Sequence, residues 1–229
     1  MSWKLSLVTV CALGVLGFAT RVDAAPIIAP VSGVINAGGP GWGTLTETFD
    51  QSGLFSTYTP GVTDFDAFLS TNPLHTSIFD GNEWFSESGT TASVTYDLGA
   101  AYFITRLALW NEESSGIGLL NLSYSLNGVD FFSLAQNLVP TDNPAIGFDD
   151  FGANPTPPYG ADVFSFASTQ ARYLRLDMSG CGLQNDDYRA CALGEVAVEG
   201  VVPEPGTLLL FGGGLVMAGA HVRRRRNRA

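Results

Sequence analysis

Along much of residues 90–200, apolar and polar side chains alternate at the period of a strand with one face in a core. Ser93-Val94-Thr95-Tyr96-Asp97-Leu98 alternates, residues 102–110 form a long apolar run, and Leu120, Leu122, Tyr124 and Leu126 share one face. Asn127-Gly128 follows at once, and Val129-Asp130-Phe131-Phe132-Ser133-Leu134 comes next, which predicts a hairpin turning on Asn-Gly. Residues 163–166, 171–178 and 195–199 complete the strand-like set. Helical periodicity is missing from this region, and Gly and Pro punctuate it often, so the expected class is all-β, an antiparallel sandwich. Upstream, residues 63–69 predict one or two helical turns and Gly38-Gly39-Pro40-Gly41-Trp42-Gly43 a loop. Residues 26–77 are expected to pack onto the sandwich, and residues 140–160 to form a long surface loop.

Two apolar stretches lie outside this pattern, one at each end. Lys4, the apolar residues 5–19 and Val22-Asp23-Ala24 predict a signal peptide over 1–24, cut after Ala24. At the other end Pro203-Glu204-Pro205 precedes an apolar stretch, 208–222, and then Arg223, Arg224, Arg225 and Arg226. Fifteen helical residues rise roughly 22 Å, short of the roughly 30 Å hydrocarbon core, and Gly212-Gly213-Gly214 weakens the helix. Such a segment makes a poor permanent span, and its arginines belong in the cytoplasm by the positive-inside rule. The Pro-Glu-Pro triplet, greasy helix and arginine cluster over 202–229 resemble the PEP-CTERM sorting signal of Gram-negative bacteria. The resemblance implies export, transient anchoring in the inner membrane, processing by an exosortase-type membrane protease, and a final place at the cell surface or in the extracellular matrix. An ordinary C-terminal anchor with a basic stop is the alternative.

Without its ends, the domain at 25–201 has a different charge. Of 11 basic residues four remain, against twenty of the 22 acids, so the exported part carries −16 and no lysine. That excludes nucleic acid, which needs clustered cations, and it offers carboxylates to divalent cations. Cys181 and Cys191 are the cysteines left in an exported domain, with nine residues between them, and read as a disulfide. Free thiols or a metal site are the alternatives, although zinc would find His75 as its single histidine.

Six segments then fall into a familiar order. They are Asp80-Gly81-Asn82-Glu83-Trp84, Val94-Thr95-Tyr96-Asp97-Leu98-Gly99, residues 104–111, residues 124–132, Ala171-Arg172-Tyr173-Leu174-Arg175-Leu176 and Leu193-Gly194-Glu195-Val196-Ala197-Val198. Over residues 78–200 they resemble the discoidin, or coagulation-factor type C, group of galactose-binding-like domains. The resemblance implies an eight-stranded jelly roll whose loops at one end bind sugars or other surface ligands. It also implies a calcium ion near the Asp-Gly turn, held by Asp80 and Asn82 and completed by Glu195, with other oxygens from main chain and water. The bland counterpart has Asp80 capping a turn and Glu195 meeting Arg172 or Arg175.

Catalysis finds little support. His75 is the single mature histidine and sits in loop context, and no carboxylate pair stands out among the acids. Trp42, Tyr58, Tyr159 and Tyr188 are candidate stacking platforms for a sugar, whereas Trp84 and Trp110 lie in strand context and read as core. The expected function is a non-catalytic binding module for extracellular polysaccharide, since PEP-CTERM proteins as a group belong to exopolysaccharide-producing bacteria. A structural matrix protein acting through an acidic, calcium-binding surface is the second reading, and an enzyme the third.

Overall fold

The computed structural model describes residues 25–77, 81–143, 157–182 and 189–203. The predicted signal peptide, residue Asp80, most of the predicted 140–160 loop, Tyr188, and the sorting segment from Glu204 and Pro205 through Arg223–Arg226 lie outside them. Among the described residues eight strands are present: β1 (Ile27–Ile28), β2 (Ser32–Ala37), β3 (Trp84–Phe85), β4 (Thr91–Asn111), β5 (Leu119–Ser125), β6 (Phe132–Leu138), β7 (Asp162–Ser179) and β8 (Ala192–Val201). Every pairing is antiparallel. No helix among the described residues is long and apolar enough to cross a membrane.

β4 and β7 build both layers of this jelly-roll sandwich. The first half of β4 pairs with β2 and with the second half of β7, which in turn pairs with β5. Past an irregularity between Asp97 and Tyr102, the second half of β4 pairs with β8 and the first half of β7. Gly99 sits at that break with φ +82°, a left-handed conformation that side chains with a Cβ resist. Val94, Tyr96, Leu120, Leu122, Leu174 and Leu176 of one layer then face Leu107, Leu109, Leu193, Val196 and Val198 of the other, with Trp84 between them. The predicted strands at 93–98 and 102–110 are thus one element. The hairpin is present as β5–β6, but its connection runs from residue 126 to 131. Ser125 Oγ and Asn127 Oδ1 accept four main-chain N–H groups there, so a broader turn replaces the expected two-residue one.

A second apolar layer covers the outside of β4 and β8. Trp110, Ala108 and Ala197 project outward there and are buried by Ile27, Leu54, Tyr58, Phe65, Phe68 and Tyr159. The predicted helical turns appear as α1 (Phe65–Leu69), whose N-cap Asp64 accepts a hydrogen bond from Ala67 N at 2.7 Å. Arg106 fastens this layer to the sheet. It donates to Glu199 through Nε at 2.6 Å and Nη2 at 2.7 Å, and to Asp66 of α1 through Nη1 at 2.6 Å. The guanidinium holds the Glu199 carboxyl below its usual range.

Cys181 and Cys191 form the predicted disulfide, joining the end of β7 to the start of β8. Closing a loop with a sequence separation of 10 restricts the unfolded chain. Replacing both cysteines by serine should cost about 2.5–3 kcal/mol in urea unfolding by the chain-entropy argument. A change under about 1 kcal/mol would show that the bridge does not stabilise the fold.

Candidate functional site

Of the four aromatic candidates, one faces solvent among the described residues. Trp42 is 63% exposed, whereas Tyr58 and Tyr159 are 6% and 3% exposed and belong to the outer apolar layer. Those two are corrected to core: loop context does not imply exposure when the loop lies over Trp110. The loop at 38–43 is fixed against β3. Trp42 and Phe85 exchange main-chain hydrogen bonds at 2.8 and 2.9 Å, and Trp84 Nε1 donates to Pro40 O at 2.9 Å. Gly41 has φ +75°, and a Cβ there would lie 1.9 Å from Phe85 O, so no other residue fits. The backbone of Trp42 is held firmly while its ring stays in water.

A group of buried polar side chains lies on the outer side of β8. His75 and Tyr159 exchange main-chain hydrogen bonds at 2.8 and 3.1 Å, and their rings lie 5.1 Å apart. The Tyr159 hydroxyl donates to Glu83 Oε1 at 2.5 Å. His75 fits because Gly53 and Gly194 bring bare backbone to it. A Cβ on Gly53 would lie 2.0 Å from Nε2, and one on Gly194 2.3 Å from the Tyr159 oxygen. His75 Nδ1 donates to Thr76 O at 2.8 Å. Burial pushes its pKa down to about 4, against the opposite pull of main-chain contacts with Thr76 and Asn82.

Three carboxyls crowd the same region. Glu112 accepts from Ser114 N and Ser114 Oγ, both at 2.9 Å, and from Ser115 N. Burial raises its pKa and pushes Glu113 up to about 10, Glu112 and Glu83 adding to the latter. Glu83 is pushed well above the carboxylate range, first by burial and then by Glu112. Oε2 of Glu83 and Oε2 of Glu113 have no hydrogen-bond partner. None of these three acids stood out in the sequence, because residues 83 and 112–113 meet through the fold alone. The one signal was acids following directly on the apolar run that ends at Trp110.

Glu195 lies apart from this group. Its Oε2 accepts from Gln51 N at 2.9 Å, its Oε1 is buried without a partner, and burial raises its pKa well above the ordinary value. The arginines expected to meet it are engaged elsewhere, Arg172 with Asp97 and Arg175 with Asp177. Asn82 touches the His75 ring through its main chain, and His75 abuts Gly194, next to Glu195. Among the described residues, no three His, Cys, Asp or Glu side chains gather as a ready-made metal cage.

Comparison with known proteins bears on both ends of this description. Residues 201–226 match the PEP-CTERM protein-sorting motif, which marks the chain for export. Nothing among the curated proteins matches the chain. One similar solved structure is CpGH89CBM32-5 from Clostridium perfringens, in complex with GalNAc-beta-1,3-galactose. It is 14% identical over 73% of this chain and 94% of its own, with a TM-score of 0.47. Another is chitosan-binding module 1, in mutant form, from a chitosanase/glucanase of Paenibacillus sp. IK-5. It is 15% identical over 77% of this chain and 99% of its own, with a TM-score of 0.48.

The buried imidazole sets a pH dependence. The folded protein keeps His75 neutral down to about pH 4, while the unfolded chain takes up its proton near 6.5. At this group the unfolded state therefore binds more protons in that window, so the His75 contribution lowers stability as pH drops from about 6.5 to 4, while the raised carboxyls Glu83, Glu112, Glu113 and Glu195 act in the opposite sense. The loss amounts to at most roughly 3 kcal/mol. Relative to the parent, His75→Gln should gain stability in urea unfolding as pH falls through that window; a difference that does not change with pH would show that His75 makes no such contribution.

Proposed function

We propose that the exported chain is a non-catalytic module that binds extracellular polysaccharide, with Trp42 as its stacking platform. The observation that carries the reading is the glycine-fixed loop that holds an indole ring out in water. An exposed ring of that size has no folding role on the outside, but it suits the apolar face of a sugar. Pre-fixing its backbone lowers the ordering cost of binding. The absence of catalysis is supported by His75, which is fully buried with its ring packed between two glycine backbones. Glu83, Glu112, Glu113 and Glu195 are likewise shut away from a polymeric substrate.

Calcium fits this reading at Glu195. A buried carboxylate oxygen without a partner suits a cation. Glu195, Asn82 and Asp80 would hold the ion, and its charge would fix the loop at residues 50–51 against β8. The sorting motif fits exosortase processing and a final place on the cell surface or in the matrix.

A glycan array probed with and without chelator tests the binding reading. Saturable sugar binding is expected, and Trp42→Ala should cost ~2 kcal/mol, roughly thirtyfold in Kd. Equal binding by the variant would remove Trp42 from the site. Calcium-dependent self-association without sugar binding would favour the structural matrix protein instead, and polysaccharide turnover by the purified protein would make it an enzyme. Intact mass of the protein from the native cell surface should show loss of residues 1–24 and of the arginine-bearing tail. Retention of that tail would exclude exosortase processing.

A further inference from the structure

We propose that the end of the sandwich where β4 and β7 bend is a membrane-facing surface, seated on the lipid bilayer that holds the carboxyl-terminal apolar segment. This rests on reading residues 208–222 as a membrane anchor, and it is independent of sugar binding.

β8 separates two ends of the domain. Its first residue, Ala192, pairs with Phe85, which bridges to Trp42, so the Trp42 loop lies at one end. The disulfide and Ser115, whose carbonyl accepts from Ala192 N, lie there too. Its last residue, Val201, pairs with Phe103, just past the bend at Gly99. Ten residues of strand place these two ends about 30 Å apart.

At the bend end, apolar side chains face water. Val31 is 65% exposed and lies over Gly99, where a Cβ would be 3.1 Å from Val31 Cγ1. In the connection between β5 and β6, Leu126 is 52% and Val129 79% exposed. That connection lies on the Tyr173 ring through Gly128, and Tyr173 pairs with Asp97 beside the bend. Its four main-chain hydrogen bonds to Ser125 and Asn127 hold both side chains outward. Phe103 and Val201 are exposed from the other layer, so apolar groups border this end on both sides.

Charge is low here for so acidic a domain. Asp97 is paired with Arg172, Glu199 with Arg106, and Asp130 accepts from Asn127 Nδ2. Glu83, Glu112, Glu113 and Glu195 belong to the opposite end, beside the Leu193 pairings with Trp84 and Asn111. An apolar contact without cations suits a zwitterionic lipid surface better than an anionic one.

The occupant follows from where the chain enters and leaves. From Pro203 to Leu208, where the apolar stretch begins, five residues reach at most about 18 Å. Pro26 O accepts from Gly200 N at 3.2 Å, so the chain also enters at this end, shortly after the apolar run at 5–19. A bilayer holding either segment is within reach of the bend end and out of reach of the Trp42 loop. Linkage this short raises the local concentration of one surface at the other to the order of millimolar, so a few partly buried side chains suffice. Seated this way, the domain presents Trp42 away from the membrane.

Quenching by brominated lipid tests the contact. The full-length chain with Cys11→Ser, since Cys181 and Cys191 are joined, takes a bimane label at Val129→Cys or, as control, at Thr44→Cys, which is exposed next to the Trp42 loop. In vesicles of phosphatidylcholine brominated on its acyl chains, the label at 129 should be quenched several-fold more strongly than the label at 44. With the label moved to Val31→Cys, adding Leu126→Asp and Val129→Asp should remove most of its quenching, because carboxylates resist the interface. Both positions are exposed, and tryptophan fluorescence checks folding.

A chain that floats with the vesicles while neither label is quenched overturns the proposal and leaves the anchor standing. A chain that does not float overturns both. Stronger quenching at 44 would seat the opposite end on the lipid and overturn the proposal. Disulfide crosslinking of Val129→Cys between copies, without quenching by lipid, would assign this end to a second copy of the chain instead.

Discussion

β4 and β7 run antiparallel along nearly their whole length, and each contributes a different half to each layer of the sandwich. The remaining strands attach to that pair or to a strand attached to it. β2, β8 and β7 pair with β4; β5 pairs with β7; β1 and β3 hang on β8; β6 closes the edge on β5. The constraint that follows is geometric. Both strands must change layers while staying paired, and they do so where Gly99 takes its left-handed conformation and the register shifts between Asp97 and Tyr102. Were those strands to stop at the bend, the two halves of the core would have no common frame.

The fold class was legible because alternation is strong wherever one face is buried, as in residues 93–98 and 120–126. That 93–98 and 102–110 form one strand was not legible, since Gly99-Ala100-Ala101 between them reads the same for a bend as for a turn. β1 and β3 have two residues each, too few for any period to show. β8 is buried on both faces, including its polar members Glu195 and Glu199, which the alternation of residues 195–199 did not reveal. Among the aromatic candidates, Trp42 lies in a loop and is exposed. Tyr58 and Tyr159 had the same local signature but roof Trp110, whose own burial on the outer face of the sheet the chain pattern could not reveal.

Charge is divided unevenly through the domain. The arginines serve strand surfaces, Arg106 clasping α1 to β8 and Arg172 and Arg175 lying along β7 beside Asp97 and Asp177. The buried acids are collected at the other end of β8, around Tyr159 and at Glu195, and no arginine of those three reaches them. A domain so poor in bases keeps its few cations for fastening. Its interior acids must then be balanced by protons or by ions from the surroundings, which makes the medium part of its stability.

β8 is flanked on one side by β4 and on the other by β1 and β3, and it leads directly into the matched sorting motif at residue 201. The far end of the strand adjoins Cys191, bridged to β7. A chain tethered by its carboxyl end takes any tug along the axis of this strand, at right angles to its ladder of hydrogen bonds. Those bonds would have to give way together rather than unzip one by one, so a pull on the carboxyl end would be shared along the whole ladder of β8.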